Sequence, residues 1–304
     1  MNYGNIVSKF TGDGKLNITI EPTIQCKSNC AICARKKIKS TENRYMPKEI
    51  MDKIFFHLSH DGLLDNINNL YLGGWGNPLQ YPDSISLINR AYNELNMKFS
   101  ININGSILNK DDIHALLGSK VGTIIYSLNA VDESTYDKLM TRDRFELSLD
   151  NLLYLLEMRA DMDSKFNLVI QVFNPWSHDD SSLMKRLNKY LNDESVSISL
   201  RTVENISGYI KVNGIELKQN FNKLPCAYLW RMISIDCDGN VYYCCAGSMI
   251  YRKEADLCVG NIMDHSLIYF LTHEKRRHFQ NLMLHGRIDE IMECANCDTP
   301  LSFQ

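Results

Sequence analysis

Through about residue 205, short apolar runs alternate with longer segments in which apolar residues recur three and four positions apart. The short runs, at residues 16–24, 67–72, 99–103, 121–128, 166–173 and 196–201, read as strands. The segments at 47–59, 82–95, 110–117, 133–140, 145–158 and 180–191 read as helices with one buried face. Strands separated by helices argue for a parallel sheet covered by helices. Six such units describe an α/β fold, a partial and open (β/α)6 TIM barrel. Functional residues are then expected where the strands end at their carboxyl side.

The pattern changes after Ser207. An Asp238-Gly239 turn between apolar runs at 231–236 and 241–245 predicts a hairpin, and residues 267–284 predict a helical stretch. Two units are therefore expected, a barrel over residues 1–207 and a small C-terminal α+β domain over 208–304.

Composition narrows the function. The chain has 304 residues, a net charge of −3 and no long block of lysine or arginine, which argues against nucleic acid or a membrane surface as partner. No apolar stretch has the ~18 residues a spanning helix needs. The first residues lack the apolar core of a signal peptide, so the ten cysteines point to metal ligation in a reducing, cytoplasmic setting rather than to disulfides. Histidines show no metal-binding spacing. The run Lys275-Arg276-Arg277-His278 reads as a solvated helix face.

Three cysteines, Cys26, Cys30 and Cys33, follow the first strand with the spacing C-x3-C-x2-C. A structural zinc takes four ligands, usually in two pairs, so three close thiolates suit it poorly. They suit three irons of a cubane [4Fe–4S] cluster and leave the fourth iron open to a ligand that is not protein. The whole stretch EPTIQCKSNCAICARKK resembles the signature of the radical S-adenosylmethionine (radical SAM) enzymes. That resemblance implies SAM chelated at the open iron, and its reductive cleavage to a 5′-deoxyadenosyl radical. An external electron donor of flavodoxin or ferredoxin type is implied with it.

Other positions extend the resemblance. LGGWGNPL after the second strand is similar to the family's glycine-rich SAM-binding loop, which implies cofactor roles for Gly73, Gly74 and Asn77. Asn77 stands where relatives often have glutamate, and Ile32 where they often have an aromatic residue. Polar strand ends at Asn104 and Ser127 resemble the family's SAM contacts, and Gln171, Asn174 and Arg201 are further inward candidates.

Seven cysteines lie in the C-terminal part. By spacing alone, Cys226, Cys244, Cys294 and Cys297 fit a zinc ribbon or an iron–sulfur cluster equally. C-x12-G-x4-C, the IDCDGNVYYCC hairpin, VGNI and a later C-x2-C resemble the auxiliary-cluster domain called SPASM, in its truncated "twitch" form. The resemblance implies one auxiliary [4Fe–4S] cluster on those four residues, two clusters in all. Of the remaining cysteines, Cys258 is the candidate hydrogen-atom donor.

These features lead to a radical SAM oxidoreductase. It would take hydrogen from an unactivated carbon of a small polar substrate (sugar-, aminocyclitol- or amino-acid-like, a peptide being possible) and use the auxiliary cluster as oxidant. The alternatives are a radical epimerase of a sugar or peptide using Cys258, and a non-catalytic zinc or iron–sulfur scaffold.

Overall fold

The computed structural model describes residues 15–38, 44–141, 144–162, 164–173, 181–213, 225–245 and 250–297. Among the described residues, nine strands form one sheet: β1 (Leu16–Ile20), β2 (Ile67–Leu72), β3 (Phe99–Asn104), β4 (Thr123–Asn129), β5 (Asn167–Phe173), β6 (Val196–Arg201), β7 (Met232–Ile235), β8 (Asn240–Tyr242) and β9 (Cys258–Asn261). Their order is β6-β5-β4-β3-β2-β1-β7-β8-β9. Neighbours from β6 through β1 to β7 are parallel, and β7-β8-β9 form an antiparallel meander.

The helices are α1 (Lys48–His60), α2 (Ser84–Leu95), α3 (Lys110–Leu117), α4 (Glu133–Met140), α5 (Phe145–Asp161), α6 (Ser181–Leu187), α7 (Tyr228–Arg231), α8 (Leu267–Thr272) and α9 (Glu274–Leu284). Their ends follow local chemistry. Asn109 and Asp112 form a reciprocal capping box that starts α3, with Asp112 N–H 2.8 Å from Asn109 Oδ1. Asp132 caps α4 by accepting the Thr135 N–H at 2.8 Å. On α1, Ile50, Ile54 and Leu58 form a buried stripe at i, i+4, i+8.

Alternation along the strands divides the side chains. Phe99, Ile101 and Ile103 of β3, Ile124, Tyr126 and Leu128 of β4, and Leu168, Ile170 and Val172 of β5 are buried in the main core. The intervening positions carry Asn102, Asn104, Ser127 and Gln171, which face a cavity. The inner face is thus more polar than the near-continuous apolar runs suggest.

Two expectations for the C-terminal part change. The predicted helical stretch 267–284 is two helices, separated at His273, whose Nδ1 accepts the Lys275 N–H at 3.1 Å. Arg276 is not solvated: it is 5% exposed and donates to the carbonyls of Leu229 (3.1 Å) and Trp230 (2.7 Å). Among the described residues no helix is long and apolar enough to cross a membrane.

Candidate active site

The loop after β1 bears Cys26, Cys30 and Cys33. Arg35 folds it by donating through Nη2 to the carbonyls of Cys26 (3.1 Å) and Ser28 (2.9 Å). Ser28 Oγ lies 3.0 Å from Cys30 Sγ. Burial pushes the Cys33 thiol up, while Arg35 and Lys36 beside it pull the other way.

These three cysteines line a cavity of about 300 Å³ at the carboxyl ends of the strands, where the barrel geometry calls for it. Gly73, Gly74, Gly76 and Asn77 form one wall, and Asn102, Asn104, Ser127, Asn129 and Gln171 another. The glycines are required. A Cβ on Gly76 would stand 2.0 Å from the Thr23 carbonyl oxygen, and one on Gly74 would stand 2.5 Å from Glu21 Oε1. A backbone cradle packed this tightly leaves its ligand-facing side as bare peptide, which fits the amino and carboxylate groups of SAM. Three soft thiolates across the cavity fit three irons.

Several polar groups are already engaged. Asn77 Oδ1 accepts the Leu79 N–H at 3.2 Å, and Asn104 Oδ1 accepts from Ser106 N–H and Oγ, both at 3.0 Å. Ser127 Oγ donates to Asn102 Oδ1 at 2.7 Å. Asn77 therefore serves as a turn cap. Ile32, Trp75, Met140, Phe173 and Ile206 supply the apolar lining. A larger polar groove of about 690 Å³, with Asn69, Ser100 and Thr123, opens at the opposite ends of the strands and contains no cysteine.

Two candidates lie elsewhere. Arg201 is outside the cavity lining: its side chain is 46% exposed and pairs with Glu204 at 3.6 Å. Cys258 packs with Tyr242 and Ala255 on the C-terminal meander, also outside the lining. Asn174 falls outside the described residues.

Cys226, Cys244, Cys294 and Cys297 come together in the C-terminal part. Burial, and then the nearby Cys244, Cys226 and Cys297, raise the Cys294 thiol well above its usual range. Among the described residues no three His, Cys, Asp or Glu side chains, in either cysteine set, stand close enough to chelate one ion. Cys245, next to Cys244, was not singled out by sequence reasoning. It packs, together with Trp75 of the cavity wall, against Tyr242 and Ala255, and burial chiefly pushes its thiol up to about 11. Cys245 adjoins Cys244, so this small cluster lies between the cavity wall and one member of the second cysteine set.

The Radical SAM superfamily model matches residues 20–174, and the model of the iron–sulfur cluster-binding SPASM domain matches residues 226–298. The fold is similar to that of BtrN, solved in complex with AdoMet and 2-DOIA (TM-score 0.61, 16% identity, covering 95% of this chain and 97% of that one). It is similar also to SuiB of Streptococcus suis, solved bound to the precursor peptide SuiA (TM-score 0.62, 16% identity, 97% of this chain and 73% of that one). A curated protein, GTPase Obg of Brachyspira hyodysenteriae, is 24% identical over 231 residues, 69% of this chain. The match spans only 33% of that protein's length, and this chain contains no G-x-x-x-x-G-K-[S/T] phosphate loop.

Proposed function

The chain belongs to the radical SAM superfamily and carries a SPASM-type iron–sulfur domain, and from that premise we propose that it is an oxidoreductase acting on an unactivated C–H bond of a small polar substrate. When bound, SAM and the primary [4Fe–4S] cluster supply a 5′-deoxyadenosyl radical that takes the hydrogen atom, and the auxiliary cluster supplies an electron acceptor.

The chain's own residues do the rest. Cys26, Cys30 and Cys33 hold the primary cluster, and Cys226, Cys244, Cys294 and Cys297 the auxiliary one. Gly73 and Gly74 offer SAM their backbone, while Asn104, Ser127 and Gln171 orient the polar ligands. Ile32, Trp75 and Phe173 keep water from the reacting carbon. On the outer side of the cysteine loop, a groove of about 470 Å³ joins Cys33 to Lys36, Tyr209 and Lys211. An acidic electron donor of flavodoxin or ferredoxin type would approach there. Residues 1–207 would carry the first of these roles and residues 208–304 the second.

The oxidative reading rests on Trp75 of the cavity wall and Cys245, the neighbour of Cys244, which pack against the same pair of residues, Tyr242 and Ala255. A radical epimerase would need a hydrogen-donating thiol at the cavity. Cys245 and Cys258 both lie outside the lining and pack against the same Tyr242 and Ala255, so either thiol is a candidate for that second reading. An anaerobic assay with candidate sugars, aminocyclitols, amino acids and peptides tests the proposal. Formation of 5′-deoxyadenosine with a product two hydrogens lighter supports it, and a product of unchanged mass overturns the oxidative reading.

A further inference from the structure

Three charged side chains, Glu21, Arg252 and Asp236, meet beneath the glycine-rich loop, and none of them lines the cavity. Glu21 and Asp236 are wholly buried, and the Arg252 side chain is 14% exposed. Arg252 Nη1 donates to Glu21 Oε2 at 2.7 Å and stands 3.4 Å from Asp236 Oδ2. The other oxygen of Glu21, Oε1, accepts the Trp75 N–H at 2.7 Å, so a single carboxylate holds both the loop and the arginine.

Asp236 is committed on the other side. Its Oδ1 accepts the N–H groups of Asp238 and Asn240, both at 2.9 Å, and its Oδ2 accepts the Tyr242 hydroxyl at 2.6 Å. These bonds shape the β7–β8 hairpin, whose second strand runs on to Cys244. The same carboxylates therefore organise two structures: the loop facing one cysteine set and the hairpin leading to the other.

Such a group is expensive to bury. Loss of hydration works against both carboxylates, and only close partners offset it. Burial raises the Glu21 carboxyl above its usual value, and Arg252 opposes that shift. Arg252 also sits at φ +58°, a conformation side chains rarely adopt, and its Nε and Nη2 have no hydrogen-bond partner among the described residues. Apolar residues of similar volume would serve packing alone at least as well. Strain, burial and charge concentrated between two functional loops mark an element kept for geometry.

We propose that Glu21 and Arg252 are positioning residues: through the Trp75 N–H they hold the Gly73–Gly76 loop in the shape that receives SAM, and through Asp236 they couple that shape to the auxiliary-cluster hairpin. Coupling of this kind is reciprocal, so SAM binding orders the hairpin to the extent that the hairpin favours SAM. The proposal rests on the assignment of the loop to SAM.

Hydrogen exchange on the anaerobically reconstituted full chain reads the coupling. In the wild type, SAM should slow exchange in peptides covering 73–77 and also in those covering 236–244. In Arg252→Met the hairpin protection should be lost, and the KM for SAM should rise about tenfold with iron content unchanged. Arg252→Lys, which keeps the positive charge, should restore part of both. Glu21→Gln keeps an acceptor for the Trp75 N–H but not the ion pair, so the loop should stay protected while the hairpin no longer responds to SAM.

If SAM still protects the hairpin in both Arg252→Met and Glu21→Gln, the proposal is overturned. It is overturned also if both variants lose thermal stability while KM and the exchange pattern stay as in the wild type, the mark of a merely structural role. Should Arg252→Met not accumulate as folded protein, the nearly isosteric Glu21→Gln decides by the same readouts. A wild type that does not bind SAM would overturn the assignment of the loop as well, an outcome distinct from the others.

Discussion

Arg44 and Asp238, 194 residues apart, meet with Nη1 2.7 Å from Oδ2 and tie the segment that follows the cysteine loop to the tip of the C-terminal hairpin. The two side chains are 28% and 34% exposed, so solvent screens the pair. Arg44→Ala and Asp238→Ala should each lower stability by about 1 kcal/mol or less. In a double-mutant cycle followed by denaturant unfolding, the coupling should shrink with added salt.

Anaerobic reconstitution should give about eight irons and eight sulfides per chain, two cubanes' worth. Replacing Cys26, Cys30 and Cys33 together by alanine should remove half of the iron and abolish SAM cleavage. Full iron content in that variant would show that the first cysteine set holds no cluster.

Cys294→Ala with Cys297→Ala should lose the auxiliary cluster but still form some deoxyadenosine, uncoupled from product, because the radical is made at the other site. Tightly bound zinc in the freshly purified wild type, with no iron taken up by the C-terminal cysteines, would sink the iron–sulfur reading of that set.

Deuterated water separates oxidation from epimerisation. Oxidation sends the substrate's second hydrogen away as a proton and an electron, and Cys258→Ala should then cost only local packing, about 1 kcal/mol. Quenching by a thiol would instead give a product one mass unit heavier, since an S–H hydrogen exchanges with solvent. Loss of that heavier product in Cys245→Ala or Cys258→Ala would identify the donor and replace the oxidative assignment.

Cys237 offers a test at alkaline pH. Burial, then the negative field of Glu21, Asp236 and Asp238, pushes its thiol from 9.0 up to about 12. A folded value above the unfolded one means stability that is fully present below 9.0 and lost as pH rises towards 12. The wild type should therefore lose denaturant resistance more steeply between about pH 9 and 10 than Cys237→Ala does. Equal slopes would show that the thiol ionises as readily in the folded chain as in the unfolded one.

Local chemistry was legible in the sequence. The apolar spacing of α1 acts over a few residues, and so do the cysteine motif and the glycine loop. Relationships across the chain were not. Glu21 lies within the apolar run 16–24 and gives no hint of an arginine 231 positions later. Arg201 lies on the edge strand β6, where the missing neighbour leaves it to solvent and Glu204. Cys245 and Cys258, 13 positions apart, pack against the same Tyr242 and Ala255, a meeting that depends on tertiary pairing. Arg276 was readable: helix period places it one turn before the buried Phe279 and two before the buried Met283, and the charged run around it hid that phase.

The parallel pairing of β1 with β7, in which Ile18 lies beside Ile233, bears on how the chain reaches its native state. The first strand emerges from the ribosome early but lacks one neighbour until more than two hundred further residues have been made. Until then its open edge is a template for pairing with other chains. Contacts of such sequence separation slow folding and expose intermediates to aggregation. Deleting the C-terminal part would make that exposure permanent, so a barrel expressed alone should be a poor stand-in for half of the enzyme.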